Sequence, residues 1–488
     1  MKNILILLTT IILVSCSKGF LDINPVGELF PQAFYANEQD LEMAAVGLYP
    51  GMERAYVYGW SLSYTLGGQD KTSNFDNFEE VDVFATQGDN GEMKNYWNEI
   101  WRVTTAANEL ILRYENANAP EAKKREAAGQ AHFIRAHNYF MFVRMYNKLP
   151  LNLDMRDLST NMELAGPEVI YDLIVEDLLI AEEYLPDNWD HNAKKAGVAW
   201  TSGAAKSLLA YVYLCMAGYP LNDVSKYALA ASKAKEVIDN ETKYGYRLMD
   251  NIADLYSKDF NWQNKACDEV VLAFFNDNGY GCPLCGLPAE YGGWEVYMAE
   301  INFFENYPDG PRKDAIFMWE FPMADGTKRH YSQMGSKHPW YKQYWDGHMD
   351  WDHPWVPMNW LNSRPQVAIT HANNLLIYAE AQAMSSSPDA SAYHAINRVR
   401  NRAGLPDLTP GLTREAFRDS VVQERAWEFC GGYFCTDPWY DLVRLERVEA
   451  SVAGRHPDEN PLVKTPTKED YFAPYPVDDV NKNPNLKR

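Results

Sequence analysis

Five tryptophans fall within twenty-one residues between Trp340 and Trp360, with Tyr341, Lys342, Tyr344, Asp346, Asp350 and Asp352 interspersed among them. The chain holds 15 Trp and 31 Tyr, and they are densest here. Sugar rings present C–H patches that stack on aromatic faces, and hydroxyls that need paired donors and acceptors; this stretch supplies both. Trp340, Tyr341 and Trp345 are therefore candidate ligand contacts. The competing reading has each aromatic pinning a long loop to its scaffold. Tyr291 and Trp294 form a second candidate, because Gly292 and Gly293 between them leave little side chain to cover either ring.

His348 and His353 lie near Asp346, Asp350 and Asp352, residue types that ligate Ca²⁺ or Zn²⁺, but their spacing matches no established loop. A solvated polar turn fits better, and neither metal nor cofactor is expected. The sequence contains no nucleophile elbow, phosphate loop or His-Glu-x-x-His helix. With 67 acidic residues, chance carboxylate pairs are inevitable and cannot argue for glycoside hydrolysis. No enzyme activity is expected. Cys282 and Cys285 lie in Gly-Cys-Pro-Leu-Cys-Gly without a second pair at zinc-ribbon spacing, and Cys215, Cys267, Cys430 and Cys435 are scattered. A structural disulfide, free thiols and redox or metal chemistry all stay open.

The amino terminus sets the address. Lys2 precedes an apolar run from Ile4 to Val14, short of the roughly 17–25 residues that span a bilayer, and Ser15 stands before Cys16. This reads as a lipoprotein signal: residues 1–15 are removed and Cys16 carries acyl chains, two or more of which give a stable anchor. The composition, 46% hydrophobic and 23% charged, suits a globular protein with a sizeable core. A formal charge of −22 argues against a nucleic-acid partner, which would need clustered Lys and Arg.

The candidate residues must be positioned by helices. In Ala131 to Tyr146 apolar residues recur at Phe133, Ala136, Phe140 and Val143, one stripe of a helix. Similar patterns occupy 93–115, 168–185, 200–217, 224–239, 371–385, 389–403 and 413–430, predicting at least eight helices. Ser387 with Pro388, Thr413 with Glu415, and Gly404 mark boundaries. Small residues fall where consecutive helices would cross: Ala204, Ala205 and Ala210 lead into Ala228, Ala231 and Ala234, while Ala379, Ala381 and Ala383 lead into Ala392 and Ala395. Such pairs resemble tetratricopeptide repeats, which bury their faces by stacking. Between 241 and 365 periodicity fades and Gly, Pro, Asn and aromatic residues multiply. An irregular insertion of that length is the first place to seek a ligand site.

Several motifs recur in one order along nearly the whole chain: Phe20-Leu21-Asp22 with Pro25, Phe133-Ile134-Arg135-Ala136 through Leu149-Pro150-Leu151, and Asp309-Gly310-Pro311-Arg312-Lys313-Asp314. Leu375-Leu376-Ile377-Tyr378-Ala379-Glu380-Ala381, Ala395-Ile396-Asn397-Arg398-Val399-Arg400 and Asn483-Pro484-Asn485-Leu486 complete the series. Together they resemble the SusD/RagB-type nutrient-binding outer-membrane lipoproteins. The resemblance implies a mainly α fold, a curved scaffold of tetratricopeptide-like helix pairs with a large irregular region carrying the ligand site. Residues 16–488 would form one unit, with helical parts at 16–240 and 366–488 around the irregular 241–365. It further implies capture of oligosaccharides, or of peptides in some members, for a SusC-like TonB-dependent transporter, on a lipid-anchored, surface-exposed protein of the outer membrane. It places the loop after the first helix near the substrate face, where Trp60 offers an aromatic platform and Asp70 and Asn74 polar groups. Asp70 and Asn74 fit equally as turn residues bonding their own backbone. A repeat scaffold that only organises partner proteins is the remaining alternative.

The chain departs from the family pattern in Cys430-Gly431-Gly432-Tyr433-Phe434-Cys435-Thr436-Asp437-Pro438, which lacks the usual arginine, and at Thr370 and Asn373. A Cys430–Cys435 bridge is the compensation expected. Protease added to intact cells should clip the protein, as surface exposure requires; full protection on intact cells with cleavage only after lysis would assign it to the periplasmic face.

Overall fold

The computed structural model describes residues 34–57, 64–154, 161–192, 195, 197–256, 267–274, 286–342, 365–432 and 435–487. Among them, eight long helices stand where the periodicity predicts: α1 Gly91–Arg113, α2 Glu121–Tyr146, α3 Pro167–Tyr184, α4 Ser202–Met216, α5 Lys226–Ile238, α6 His371–Ser385, α7 Ala390–Arg402 and α8 Arg414–Phe429. Their starts are fixed by local hydrogen bonding. Asn90, Thr201 and Thr413 accept from the backbone N–H of Met93, Ala204 and Ala416, and Pro167 sits at the first position of α3. The start of α7 differs from expectation. Asp389, not Ser387 with Pro388, caps it by accepting from Ser391 and Ala392, because a carboxylate two residues inside Ser387 reaches both free N–H groups.

Successive helices stack in chain order, α1 on α2, α2 on α3, α3 on α4 and α4 on α5, and α5 then packs directly on α6, which contacts α7 and α8. The helical series is thus continuous across residues 241–365, which depart and return at one seam. Close approach at the crossings depends on small residues. A Cβ on Gly129 of α2 would meet the Tyr184 Cβ at 3.0 Å, and one on Gly203 of α4 would meet the Tyr244 ring at 2.8 Å. Of the expected crossing alanines, Ala228 faces solvent and Ala230 takes its place inside with Ala231 and Ala234.

Helix α2 is more deeply placed than a single apolar stripe requires. Every residue from Ala127 to Tyr146 is buried, so its polar residues must find partners inside. Arg135 donates through Nε and Nη2 to both oxygens of Asp177 on α3, at 2.8 Å each, and through Nη1 to Asn108 on α1. At the far end of the stack Arg444 grips Glu380 of α6 with two bonds of 2.6 and 2.7 Å and Asp441 with a third. Arg425 of α8 donates to the same Asp441 and to Asn373. Asn373 is thus the acceptor that holds Arg425 against α6.

The insertion is tied off by a two-stranded antiparallel ribbon that pairs Gln366 with Phe274 and Thr370 with Val270 at its ends. With strands numbered along the chain, the ribbon joins β2 Val270–Phe274 to β6 Gln366–Thr370, and β6 runs directly into α6. Beyond it lies a four-stranded sheet that the sequence does not announce, in the order β1-β3-β5-β4: β1 Lys71–Thr72, β3 Met298–Ala299, β5 Trp340–Tyr341 and β4 Phe317–Met318. All its pairings are antiparallel, with Thr72 opposite Met298 and Met298 opposite Trp340. Among the described residues no helix is long and apolar enough to cross a membrane.

His137, inside α2, is enclosed by Tyr56, Phe274 and Asn138. Burial holds its pKa down at about 4, and the Arg144 charge acts in the same direction against the Asn138 hydrogen bond. The unfolded chain takes up this proton at about pH 6.5 and the folded chain only near 4, so stability is lost as pH falls from 6.5 through 4. The loss amounts to about 3 kcal/mol at full extent. In urea unfolding across that window, His137→Gln should remove this share of the pH dependence; an unchanged profile would contradict the neutral, buried assignment.

Candidate functional site

At the outer edge of the four-stranded sheet, the chain leaving β1 and the chain entering β3 run side by side. Asn74 donates its backbone N–H to the Glu295 carbonyl at 3.3 Å, which brings the next residue, Phe75, beneath Trp294. The two rings stack with centroids 5.8 Å apart and planes at 11°. Trp294 is 38% exposed, and Phe75 is half-buried. Phe78 and Tyr297 meet edge to face at 5.5 Å behind them. The result is a partly exposed aromatic shelf.

A third segment closes the polar side of the shelf. Asn460 donates from Nδ2 to Asn74 Oδ1 at 3.0 Å and to the Ser73 carbonyl at 3.4 Å. Arg455, one turn earlier, donates to Thr72 Oγ1 and to the carbonyl and carboxylate of Asp82. Burial pushes Asp82 up to about 6, against the pull of Arg455. Beside it His338 pairs with Glu459 at 3.1 Å. Burial alone would raise Glu459, yet the hydrogen bond and charge of His338 hold it below its ordinary value. These interactions fix the shelf's base and leave the carboxamides of Asn74 and Asn460 at its edge, groups that both donate and accept.

The other candidate residues are placed differently. Asp70 is fully buried: its carboxylate takes Lys71 Nζ at 3.2 Å and the Gly431 N–H at 2.9 Å, so it is a structural anchor, not a ligand group. Trp340 and Tyr341 are also fully buried, because β5 is an inner strand of the sheet, and the Tyr341 hydroxyl donates to the Asp70 carbonyl at 2.5 Å. Tyr291 is buried and donates to the Pro322 carbonyl at 2.6 Å. The flanking glycines serve the backbone instead of exposing that ring. Gly292 has φ +78°, and a Cβ on Gly293 would overlap the Leu287 carbonyl. Asn74 is exposed at the shelf, as expected of a surface polar group. Trp60 and Trp345 lie outside the described residues, as do His348, His353, Asp346, Asp350 and Asp352. Phe75 and Asn460 were not singled out from sequence; each is one ordinary residue in a polar turn, 386 positions apart for the Asn74–Asn460 pair.

The divergent segment after α8 explains why Asp70 is inside. Gly431 and Gly432 have φ of +78° and +114°, which turns the chain back toward β1. Asp437 caps the helix Pro438–Arg444 by accepting from Trp439 N and receives Lys71 Nζ at 2.7 Å. Burial, with the Asp70 carboxylate alongside, pushes Asp437 up to about 6 against the Lys71 ammonium. The expected Cys430–Cys435 bridge is not formed: both are free thiols, as are Cys215 and Cys267. The Cys430 sulfur is directed at the Trp427 carbonyl, whereas Cys435 lies against Arg144. Two ion pairs and two left-handed glycines do the work assigned to the disulfide. Cys282 and Cys285 lie outside the described residues.

Comparison with known proteins places this geometry in context. The model of the SusD family matches residues 183–488, and a model described as starch-binding, associating with the outer membrane, matches 19–214. A SusD-like protein P2 of Formosa agariphila is 28% identical over 99% of this chain and 97% of its own length. The crystal structure of a SusD superfamily protein from Parabacteroides distasonis superposes with a TM-score of 0.78 at 19% identity, covering 94% of this chain and 98% of that one. A structure with xylogluco-oligosaccharide superposes at 0.75 with 24% identity, covering 92% and 98%.

Removing Lys71 leaves two buried carboxylates facing each other. Lys71→Met should cost about 3–5 kcal/mol in urea unfolding, and adding Asp437→Asn should recover part of that loss. Independent, additive effects would contradict the ion cluster.

Proposed function

This chain belongs to the SusD family, and on that premise we propose that it is a surface glycan-binding lipoprotein that captures oligosaccharides and delivers them to a SusC-like TonB-dependent outer-membrane transporter. The observation that carries this reading is the Trp294–Phe75 shelf with Asn74 and Asn460 at its edge. The exposed part of Trp294 takes the C–H side of a sugar ring, and the adjoining carboxamides pair with its hydroxyls. Support comes from the family description of starch binding with outer-membrane association and from the related fold holding a xylogluco-oligosaccharide.

The action is capture without bond cleavage. The shelf stands on a sheet braced by buried ion pairs, so little ordering is needed when a ring settles on it, and affinity is spent on contact and not on rearrangement. Cargo must also be released, which favours a small contact area. Cys16 would tether the protein beside its transporter through acyl chains.

Titration calorimetry against a panel of oligosaccharides tests the site. Trp294→Ala should weaken binding by about 10- to 100-fold, in line with burying one aromatic face on a ligand. Phe75→Ala should weaken it less, since that ring acts by supporting its neighbour. Full affinity in both variants would remove the shelf from the binding site, and new reducing ends on incubation with glycan would replace capture with hydrolysis.

A further inference from the structure

The aromatic shelf is bordered by charge of one sign. Asp76 follows Phe75 directly and Glu295 follows Trp294, and both hold left-handed backbone, with φ of +28° and +55°. Asp76 is exposed, and none of the described residues bonds its carboxylate. Glu295 Oε1 accepts the Ala289 N–H at 3.1 Å, and Glu290, one turn of chain before Trp294, accepts the Gly335 N–H at 2.6 Å. A backbone N–H orients a carboxylate without cancelling its charge. Glycine would relieve the backbone at either left-handed position, yet both carry an acid.

The cations nearby are already matched. Lys337 lies 3.8 Å from Asp458 and Lys328 3.9 Å from Glu320, and Arg329 stands within charge reach of Asp325 in the same hairpin. Arg455 and Lys71 are taken up by Asp82, Asp70 and Asp437. Among the described residues none forms an ion pair with Asp76, Glu290 or Glu295, on a chain whose formal charge is −22. At low salt an anion held about 7 Å from one such carboxylate loses roughly threefold in affinity even in a water-like dielectric, and neighbouring carboxylates compound the loss.

Resting on the glycan-capture reading of the shelf, we infer that it selects uncharged sugars and that Asp76 is its specificity-determining residue. The Asp76 carboxylate only accepts, so it takes a ring hydroxyl in a charge-assisted bond and offers nothing to a uronate or a sulfate. Asn74 and Asn460 both donate and accept, and an aromatic ring stacks on the C–H side of a neutral or an acidic sugar alike. Neither discriminates by charge. The sign of the border decides between the two ligands, through repulsion of the wrong one as much as through attraction of the right one.

The test uses the mature full-length protein on an array of neutral oligosaccharides, of the same glycans oxidised to uronates at their primary hydroxyls, and of natural uronate glycans beside their methyl esters. Calorimetry then follows each bound pair at low and at high salt. The uncharged member should bind about tenfold tighter at low salt, with the gap closing as salt rises. Asp76→Asn keeps a side chain that tolerates positive φ and should shrink that ratio about threefold. Trp294→Ala should weaken both members and leave the ratio unchanged. A purely structural role for Asp76 would move neither the ratio nor its salt dependence. Equal or tighter binding of the acidic members, or a ratio that Asp76→Asn leaves intact, overturns the selectivity and spares the shelf so long as Trp294→Ala still weakens those glycans. Undiminished binding in Trp294→Ala removes the shelf and this inference with it, and no binding of any glycan overturns both.

Discussion

One buried guanidinium joins the irregular half of this molecule to its helices. Arg312 is 1% exposed, and its Nη1 donates to Glu424 at 2.7 Å and Glu428 at 2.9 Å, both on α8. Arg400 of α7 takes the other oxygen of Glu424, and Arg402 bonds Glu428 and reaches Glu269 at the base of β2. Withdrawing so many charges from water costs several kcal/mol per ion, and Arg312 Nε and Nη2 and Arg402 Nε already lack a hydrogen-bond partner among the described residues, so losing one more carboxylate would be strongly destabilising. The insertion is consequently committed to a single seating on α7 and α8.

From that anchor, order passes outward along the chain. Arg312 stands five residues before β4, which pairs with β5, β5 with β3, and β3 with β1. At β1 the Asp70–Lys71–Asp437 cluster fastens the sheet again, now to the helix Pro438–Arg444. Phe75 lies three residues past β1 and Trp294 four before β3, on chain segments that the β1–β3 register and the Asn74–Glu295 bond hold side by side, so their stacking follows from register more than from loop preference. The shelf is rigid because it is an extension of a sheet clamped at both ends.

Most of the helical scaffold is legible in the amino-acid sequence, because each long helix carries its own period and several carry their own caps. Thr413 and Gly404 act where they were placed, whereas the start of α7 depends on Asp389, one residue past a proline that looks equally suitable. The sheet is not legible. Its strands are two residues long, and β1 lies more than two hundred positions from the other three, so neither alternation nor turn chemistry can reveal them. The candidate site divides the same way. Trp294 could be read as exposed from its glycine neighbours, but the same argument fails for Tyr291, whose hydroxyl is claimed by Pro322. Trp340 and Tyr341 look identical to ligand-facing aromatics until pairing puts them in an inner strand. Asp70 and Lys71 give no local sign that Asp437 waits for them.

The direct packing of α5 on α6 has an evolutionary consequence. Because 241–365 leaves and re-enters at a seam already sealed by helix contact and by the β2–β6 ribbon, the excursion bears little of the chassis's mechanical burden. Lineages can lengthen, shorten or rewrite it outside the Arg312 anchorage without recasting the solenoid.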